Sequence, residues 1–368
     1  IDLGKDCSTA EVNPLFSDSV YIDRLSRIPA VMEMPYNDIV RKFIDMYAGR
    51  LRNQVSFMLS ACNFYMPIFE EALDAYGLPL ELKYLPIIES ALNPSAVSRA
   101  GASGLWQFMI GTGKIYGLES NSLIDERRDP IKATWAAARY LKEMYDIYGD
   151  WNLVIAAYNC GPGTINKAIR RAGGETDYWK IYNLLPKETR GYVPAFIAAN
   201  YVMTYYCDHN ICPMETNIPA STDTVQVTQN LHFEQIAELC NVPLDEVKSL
   251  NPQYKKQIIP GTTKPCTLRL PQGAISAFID KQDTIYAHRA DELFRNRKTV
   301  AVKEITPATR RQTSAIAGKG KLTYYKIKSG DTLSSIAEKL GVRVRDIQQW
   351  NGMSNTRISA GKQLKIYK

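Results

Sequence analysis

Apolar residues recur at spacings of three and four along nearly all of the stretch from Tyr36 to about Tyr206, the repeat of one face of a helix. The pattern is clearest in VRKFIDMYAGRLRNQVSFML (40–59) and WAAARYLKEMYDIYG (135–149). Turn residues interrupt it at Gly77–Leu78–Pro79, Asn93–Pro94, Gly111–Thr112–Gly113, Asp129–Pro130, Gly149–Asp150, Gly161–Pro162–Gly163 and Gly173–Gly174. The pattern therefore predicts an all-helical domain of short helices, placed at residues 21–215. Residues 1–20 show no period and are expected to form a loose arm. The longest nearly apolar run, Tyr192 to Tyr206, is too short for a membrane span and carries Asn200, so it reads as a buried helix.

After Pro213 the period changes. Threonine and valine alternate with polar residues in TDTVQVTQ (222–229), a helical piece follows, and CTLRLP (266–271) reads as another strand. Sliding the chain by 100 residues lays VTQNLHFEQIAELCNVPLDEVKSLN (227–251) on IKSGDTLSSIAEKLGVRVRDIQQWN (327–351). Ile236, Ala237 and Glu238 fall on Ile336, Ala337 and Glu338, and Asn251 falls on Asn351. This is an internal repeat of about 45 residues in strand–helix–helix–strand order, with copies at 222–272 and 322–368. Between them, at 273–321, a helix around Ala274 to Phe294 precedes ITPATRRQTSAIAGKGK (305–321), whose composition is that of a flexible basic linker.

One polar residue breaks the helical pattern. In LPIIESALNP (85–94) the residues Leu82, Leu85, Glu89 and Leu92 are spaced three, four and three apart, so a helix would put Glu89 on its buried stripe. A buried carboxylate needs a partner or a purpose, and alone this one is most simply an ion-paired glutamate. Two further segments share its character: GASGLWQFM (101–109) and AYNCGPG (157–163). Each alone could be a loop entering a helix or a helix ending on a glycine turn. Together they set Glu89, Gln107, Tyr158 and Asn159 into apolar surroundings, which points to one shared cleft.

Composition narrows the chemistry. The chain is 45% apolar and 10% aromatic over 368 residues, enough for two or three domains with real cores. From residue 281 onward it carries 19 Lys and Arg against 7 Asp and Glu, whereas the remainder carries 26 against 31. The basic part is thus C-terminal and suits an anionic polymer or surface; no nucleic-acid motif accompanies it, so nucleic acid is not the expected partner. Three histidines in no ligand spacing and seven cysteines without a C-x-x-C leave no expected metal or cofactor. An oxidising compartment would allow Cys207–Cys212 and Cys240–Cys266 bridges, the pairing itself being undecided. The chain begins at Ile1, and Cys7 lacks the small residues that precede a lipid-attachment cysteine. A lipid anchor, if there is one, is therefore expected in a missing N-terminal segment, and any membrane association would run through it.

The order Glu-Ser, GLWQFM, AYNCGPG resembles the soluble lytic transglycosylase family, whose fold is similar to goose-type lysozyme. The flanking LPLELKYLPIIES, DERRDP and LPKETRGYVP resemble the membrane-bound lytic transglycosylase D subgroup, and YKIKSGDTLSSIAEKLGV with IQQWN resembles the LysM peptidoglycan-binding module. The resemblance covers most of residues 35–210 and 224–368. It implies a mainly α protein, a lysozyme-like catalytic domain followed by two small βααβ modules, the first divergent. Glu89 would be the catalytic acid, Ser98 and Tyr158 would orient its carboxyl, Gln107, Met109 and Asn159 would line sugar subsites, and Tyr192 would close the cleft. In the second module Gly330, Asp331, Thr332 and Asn351 would meet glycan; Asn230, Leu231 and His232 replace the first three in the other copy, which marks that copy as structural or a poor binder. The implied partner is the peptidoglycan glycan strand, and the implied setting is a monomer of the bacterial cell envelope, in the periplasm or at the outer membrane.

Most glycosidases use two carboxylates. The three motifs hold one, since Asp125, Glu126 and Asp129 of DERRDP alternate with Arg127 and Arg128 and read as a salt-bridged structural turn. A single carboxyl fits the transglycosylase route that the resemblance implies, in which the substrate's own C6 hydroxyl attacks and a 1,6-anhydro sugar forms. A water-using muramidase and a non-catalytic wall-binding scaffold are the alternatives; retention of Glu89 speaks against the scaffold.

Overall fold

A computed structural model describes residues 12–216, 218–219, 221–294, 322–328, 331–342, 344–353 and 358–367. The chain divides into two compact units, Ile1–Val302 and Lys303–Lys368. The expected linker 305–321, the first part of the expected N-terminal arm and Gly330 lie outside the described residues.

In the first unit the helical period becomes α1 (Asp18–Arg27), α2 (Asp38–Ala48), α3 (Arg52–Ala75), α4 (Leu85–Ser90), α5 (Ile110–Ile115), α6 (Pro130–Tyr148), α7 (Trp151–Cys160), α8 (Pro162–Arg171), α9 (Tyr178–Ile181) and α10 (Lys187–Thr204). The boundaries have local causes. Asp129 caps α6 by accepting from the Ile131 and Lys132 amides at 3.0 Å, with Pro130 as the first helical residue. Asp150 caps α7 through Leu153 N–H at 2.7 Å, and Asn37 caps α2. The expected break at Gly111–Thr112–Gly113 does not occur: these residues lie inside α5. The expected arm is shorter than twenty residues, because α1 starts at Asp18.

α10 is buried over most of its length and packs on α2, α4 and α7, while α6 bridges α3 and α7. The buried-helix reading of Tyr192–Tyr206 holds, with Asn200 fully buried and its amide donating to Phe196 O at 3.0 Å. Fully buried Trp106 meets Phe69 edge-on and donates its indole N–H to Thr134 Oγ1 at 2.9 Å.

The first repeat copy belongs to the same unit. It contains β1 (Thr222–Val227), β2 (Asn230–His232), α11 (Phe233–Cys240), α12 (Leu244–Leu250), β3 (Ile258–Pro260) and β4 (Cys266–Pro271), with β1 antiparallel to β4 and β2 to β3. Its core extends past Pro271: Ala274 and Phe278 of α13 (Gln272–Asp280) and Ile285 of α14 (Gln282–Ala287) join it, and α15 (Ala290–Leu293) follows. The expected single helix after residue 273 is therefore three short ones. The second unit holds β5 (Leu322–Lys326), α16 (Leu333–Leu340), α17 (Val344–Trp350) and β6 (Gln363–Tyr367), with Leu322 opposite Tyr367.

Cys207, Cys240 and Cys266 are free thiols, whereas Cys212 is disulfide-bonded, so neither allowed pairing forms. Cys240 and Cys266 instead fill the first module's core as small apolar side chains.

Candidate active site

Glu89 sits on the last turn of α4, a helix of six residues that ends abruptly. Ala91 and Leu92 both take left-handed backbone angles, φ 52° and 60°, and turn the chain away. Leu82 and Leu85 are fully buried, as the three-four-three spacing requires, but only Leu85 shares a helix with Glu89. A 3₁₀ turn covers Leu80–Tyr84, and α4 starts anew with Pro86 in its first turn, where the missing N–H costs nothing. Ser90, not singled out in the sequence, donates to Leu105 O at 3.0 Å and so ties the end of α4 to the Gly101–Met109 loop.

The carboxylate of Glu89 accepts a hydrogen bond from the hydroxyl of Tyr192, which α10 delivers. Burial pushes the Glu89 pKa up to about 7; the Tyr192 hydrogen bond works against the rise and the nearby charge of Glu188 adds to it. Tyr158 and Tyr192 are in turn held well above the ordinary phenol range, first by burial and then by the charge of Glu89. Two phenols and one carboxyl thus stand close together, Tyr192 buried and Glu89 and Tyr158 half-buried.

The other expected residues are placed as follows. Tyr158 donates to Trp106 O at 2.7 Å, so it anchors the loop, and the hydrogen bond to Glu89 comes from Tyr192. Ser98 is exposed, and its hydroxyl accepts from Ala102 N–H at 3.0 Å, bracing a tight turn. The expectation that Ser98 and Tyr158 orient the carboxyl is therefore met by Tyr192 instead. Gln107 is half-buried with φ 48°, and its amide donates to Gly104 O at 2.8 Å. Met109, 43% exposed, stands at the start of α5. Asn159 Oδ1 accepts from Thr189 Oγ1 at 2.9 Å, linking α7 to α10. Glu188 is the carboxylate that the three motifs did not contain; its spacing of four before Tyr192, one helix face, was the available signal.

The DERRDP turn is salt-bridged as its alternating charges suggest. Arg127 meets both oxygens of Asp125 at 2.8 and 2.9 Å, with both residues buried. In the second unit Asp331 accepts from Lys328 N–H at 2.8 Å and Tyr325 OH at 3.0 Å, and Thr332 caps α16 through Ser335 N–H at 3.1 Å. Asn351 is a structural lock. It donates to Ile347 O and Lys365 O at 2.8 Å and accepts from Lys365 N–H at 2.6 Å, so its side chain is spent inside the module.

Residues 66–181 match the transglycosylase SLT domain, 221–287 the LysM-like domain of lytic transglycosylase MltD, and 325–366 the LysM domain. The soluble lytic murein transglycosylase of Escherichia coli (strain K12) is 33% identical over 124 residues, 32% of this chain and 19% of that protein. The membrane-bound lytic murein transglycosylase D of the same strain is 30% identical over 341 residues, 91% of this chain and 70% of that protein. At 30% identity over 91% of its length, the chain belongs to the membrane-bound lytic murein transglycosylase D family.

Proposed function

We propose that the protein is a peptidoglycan lytic transglycosylase in which Glu89 acts first as acid and then as base on the β-1,4 bond between MurNAc and GlcNAc. The observation that carries this reading is a carboxyl whose pKa burial raises to about 7, so that near neutral pH both its forms are populated. Protonated, it gives its proton to the glycosidic oxygen as the C1–O bond breaks. Ionised, it removes the C6 hydroxyl proton as O6 bonds to C1. The cycle returns the proton to Glu89, consumes no water and leaves a 1,6-anhydro-MurNAc end. The Tyr192 hydroxyl supports the second half, because a donor to the carboxylate stabilises the ionised form.

Ser98, Gln107, Met109, Tyr158 and Asn159 line the glycan's path in this reading. Gly330, Asp331 and Thr332 meet a second stretch of strand, and at Asn351 the contact runs through loop backbone. The enzyme works as a monomer on the wall polymer of the cell envelope, in the periplasm and at the outer membrane. The test is mass spectrometry of muropeptides released from purified sacculi. Anhydro ends are expected, and Glu89→Gln should lower their release by roughly 10²–10⁴-fold. Reducing ends from the parent protein would mean a positioned water and a muramidase; undiminished release by Glu89→Gln would end the assignment of Glu89.

A further inference from the structure

The loop from Gly101 to Met109 has bonds of its own, Ser103 N–H to Phe108 O at 3.1 Å and Gln107 N–H to Gly104 O at 3.2 Å, and is held from outside as well. Gln107 takes a left-handed backbone angle, which a non-glycine residue keeps only where its surroundings impose it. Among the groups that impose it, beside Ser90 on Leu105 O and Tyr158 on Trp106 O, is Arg127. Its Nη1 donates to Gly101 O at 2.8 Å and to Phe108 O at 2.9 Å, pinning both ends of the loop, while Nε and Nη2 grip Asp125. The middle is pinned by contact: at Gly104, φ 88°, an added Cβ would stand 1.8 Å from Arg127 O.

The segment that carries Arg127 is itself held from its other side. Ile124 is 2% exposed, yet the core it fills is that of the first LysM-like module, where it forms an antiparallel bridge with Tyr254. Asp125 N–H donates to Gln253 O at 2.8 Å, and Lys255 N–H donates to Leu123 O at 2.7 Å. Lys264 adds ion pairs to Glu119 and Glu126. The docking loop directly follows Asn251, the position equivalent to Asn351. Of the two stretches by which the second copy is expected to approach glycan, the loop after Asn351 has its counterpart in the first copy bonded to the helical domain through Gln253–Lys255, while Asn230, the counterpart of Gly330, stays exposed.

We infer that the first LysM-like module is part of the catalytic apparatus: docked on Leu123–Asp125, it fixes Arg127, a positioning residue that sets the loop carrying Gln107 and Met109. The inference rests on the reading of that loop as a sugar-contacting one. The module then serves substrate binding without touching the substrate, and a glycan too short to reach any second module still depends on it.

The experiment uses the full chain and a soluble, uncross-linked murein tetrasaccharide. Ile124→Asp puts an unpaired charge into the module core and opens the interface, which amide hydrogen exchange reports at Asp125 and Lys255. The expected result is faster exchange at Ser103 and Gly104, a KM raised about 10- to 100-fold, a smaller change in kcat, and an unmoved alkaline limb of the pH profile, because Glu89 is not touched. Ile124→Val should behave as the parent. An opened interface with unchanged KM overturns the inference. Gln107→Ala separates this from failure of the site reading: if that variant also leaves KM unchanged, the loop does not meet sugar, whereas an impaired Gln107→Ala beside a normal Ile124→Asp removes the module's role alone. Should Ile124→Asp not fold, Lys264→Glu, at the exposed edge and facing Glu119 and Glu126, is read by the same exchange and KM criteria.

Discussion

A free glutamate is almost wholly ionised at pH 7, whereas Glu89 titrates at about 7 because burial penalises its charge. Linkage makes that shift a stability term of definite sign. Below its ordinary value of 4.5 the carboxyl is neutral in both folded and unfolded chains and costs nothing. Between 4.5 and 7 the unfolded chain releases a proton that the folded chain keeps, so stability falls across that window and levels off above it. At about 1.4 kcal/mol per pKa unit, the penalty at pH 8 is at most roughly 3.5 kcal/mol, and the partial exposure of the side chain reduces it. Glu89→Gln removes the charge and keeps the acceptor for Tyr192. It should therefore melt several degrees higher than the parent at pH 8 and at the same temperature at pH 4, while losing activity at both. Melting curves at the two pH values check it; an equal shift at both would mean that the gain has nothing to do with the carboxyl's charge. The residue that the sequence made conspicuous, a charge on an apolar stripe, is the one the structure strains to keep. Its hydrogen-bond partner was less legible: the resemblance pointed to Ser98 and Tyr158, and only the meeting of α4 with α10 selects Tyr192.

At the scale of elements, the repeat was legible because one device is used twice. Asn251 donates to Val247 O at 2.9 Å and Arg269 O at 2.7 Å and accepts from Arg269 N–H at 2.8 Å, the same three bonds that Asn351 makes 100 residues on. Each asparagine stitches the helix before it to the closing strand. The resemblance implied a glycan contact at Asn351, whose amide is fully bonded inside the module. The caps diverge more: His232 with Gln235 stands where Thr332 with Ser335 caps the other copy, yet both close the same N-terminus. Replacing either asparagine by alanine leaves a strand N–H and carbonyl without partners, a loss of roughly 2–3 kcal/mol. Asn351→Ala is expected to lower the melting transition of residues 303–368 and to leave that of residues 1–302 in place; Asn251→Ala is expected to do the reverse. Calorimetry on the full chain resolves the two, and a shift of both transitions by either variant would show the units to be coupled. The broken helix at Leu82–Leu92 escaped the sequence for a related reason. Spacing reports which side chains are buried, and Leu82, Leu85 and Leu92 are, but burial is equally compatible with a 3₁₀ turn, a short helix and two left-handed residues.

For the whole molecule the division of labour between the two LysM-like copies is what composition anticipated least. Charge was legible: the basic excess lies beyond residue 280, and most of it belongs to the second compact unit or the segment before it. The first copy's docking was not, because it depends on backbone bonds between Leu123–Asp125 and Gln253–Lys255, which no residue type announces. If the second unit works as a tether, it raises the local concentration of substrate without entering the chemistry, and avidity of this kind is worth about 10²–10⁴ in apparent affinity. A chain ending at residue 302 should then bind sacculi at least tenfold more weakly in co-sedimentation, by this same reasoning. Its kcat and KM on a short soluble glycan should stay within about twofold of the parent, since such a substrate cannot engage two sites at once. The lost binding should also be its salt-sensitive part, because the removed segment carries the basic charge and its attraction to an anionic polymer is screened as ionic strength rises. Co-sedimentation at low and high salt, run beside turnover of the soluble substrate, tests all of this at once. A truncated chain that still binds sacculi as tightly as the parent would place wall binding in the helical unit, and one that loses turnover on the short substrate would give the second copy a part in the active site.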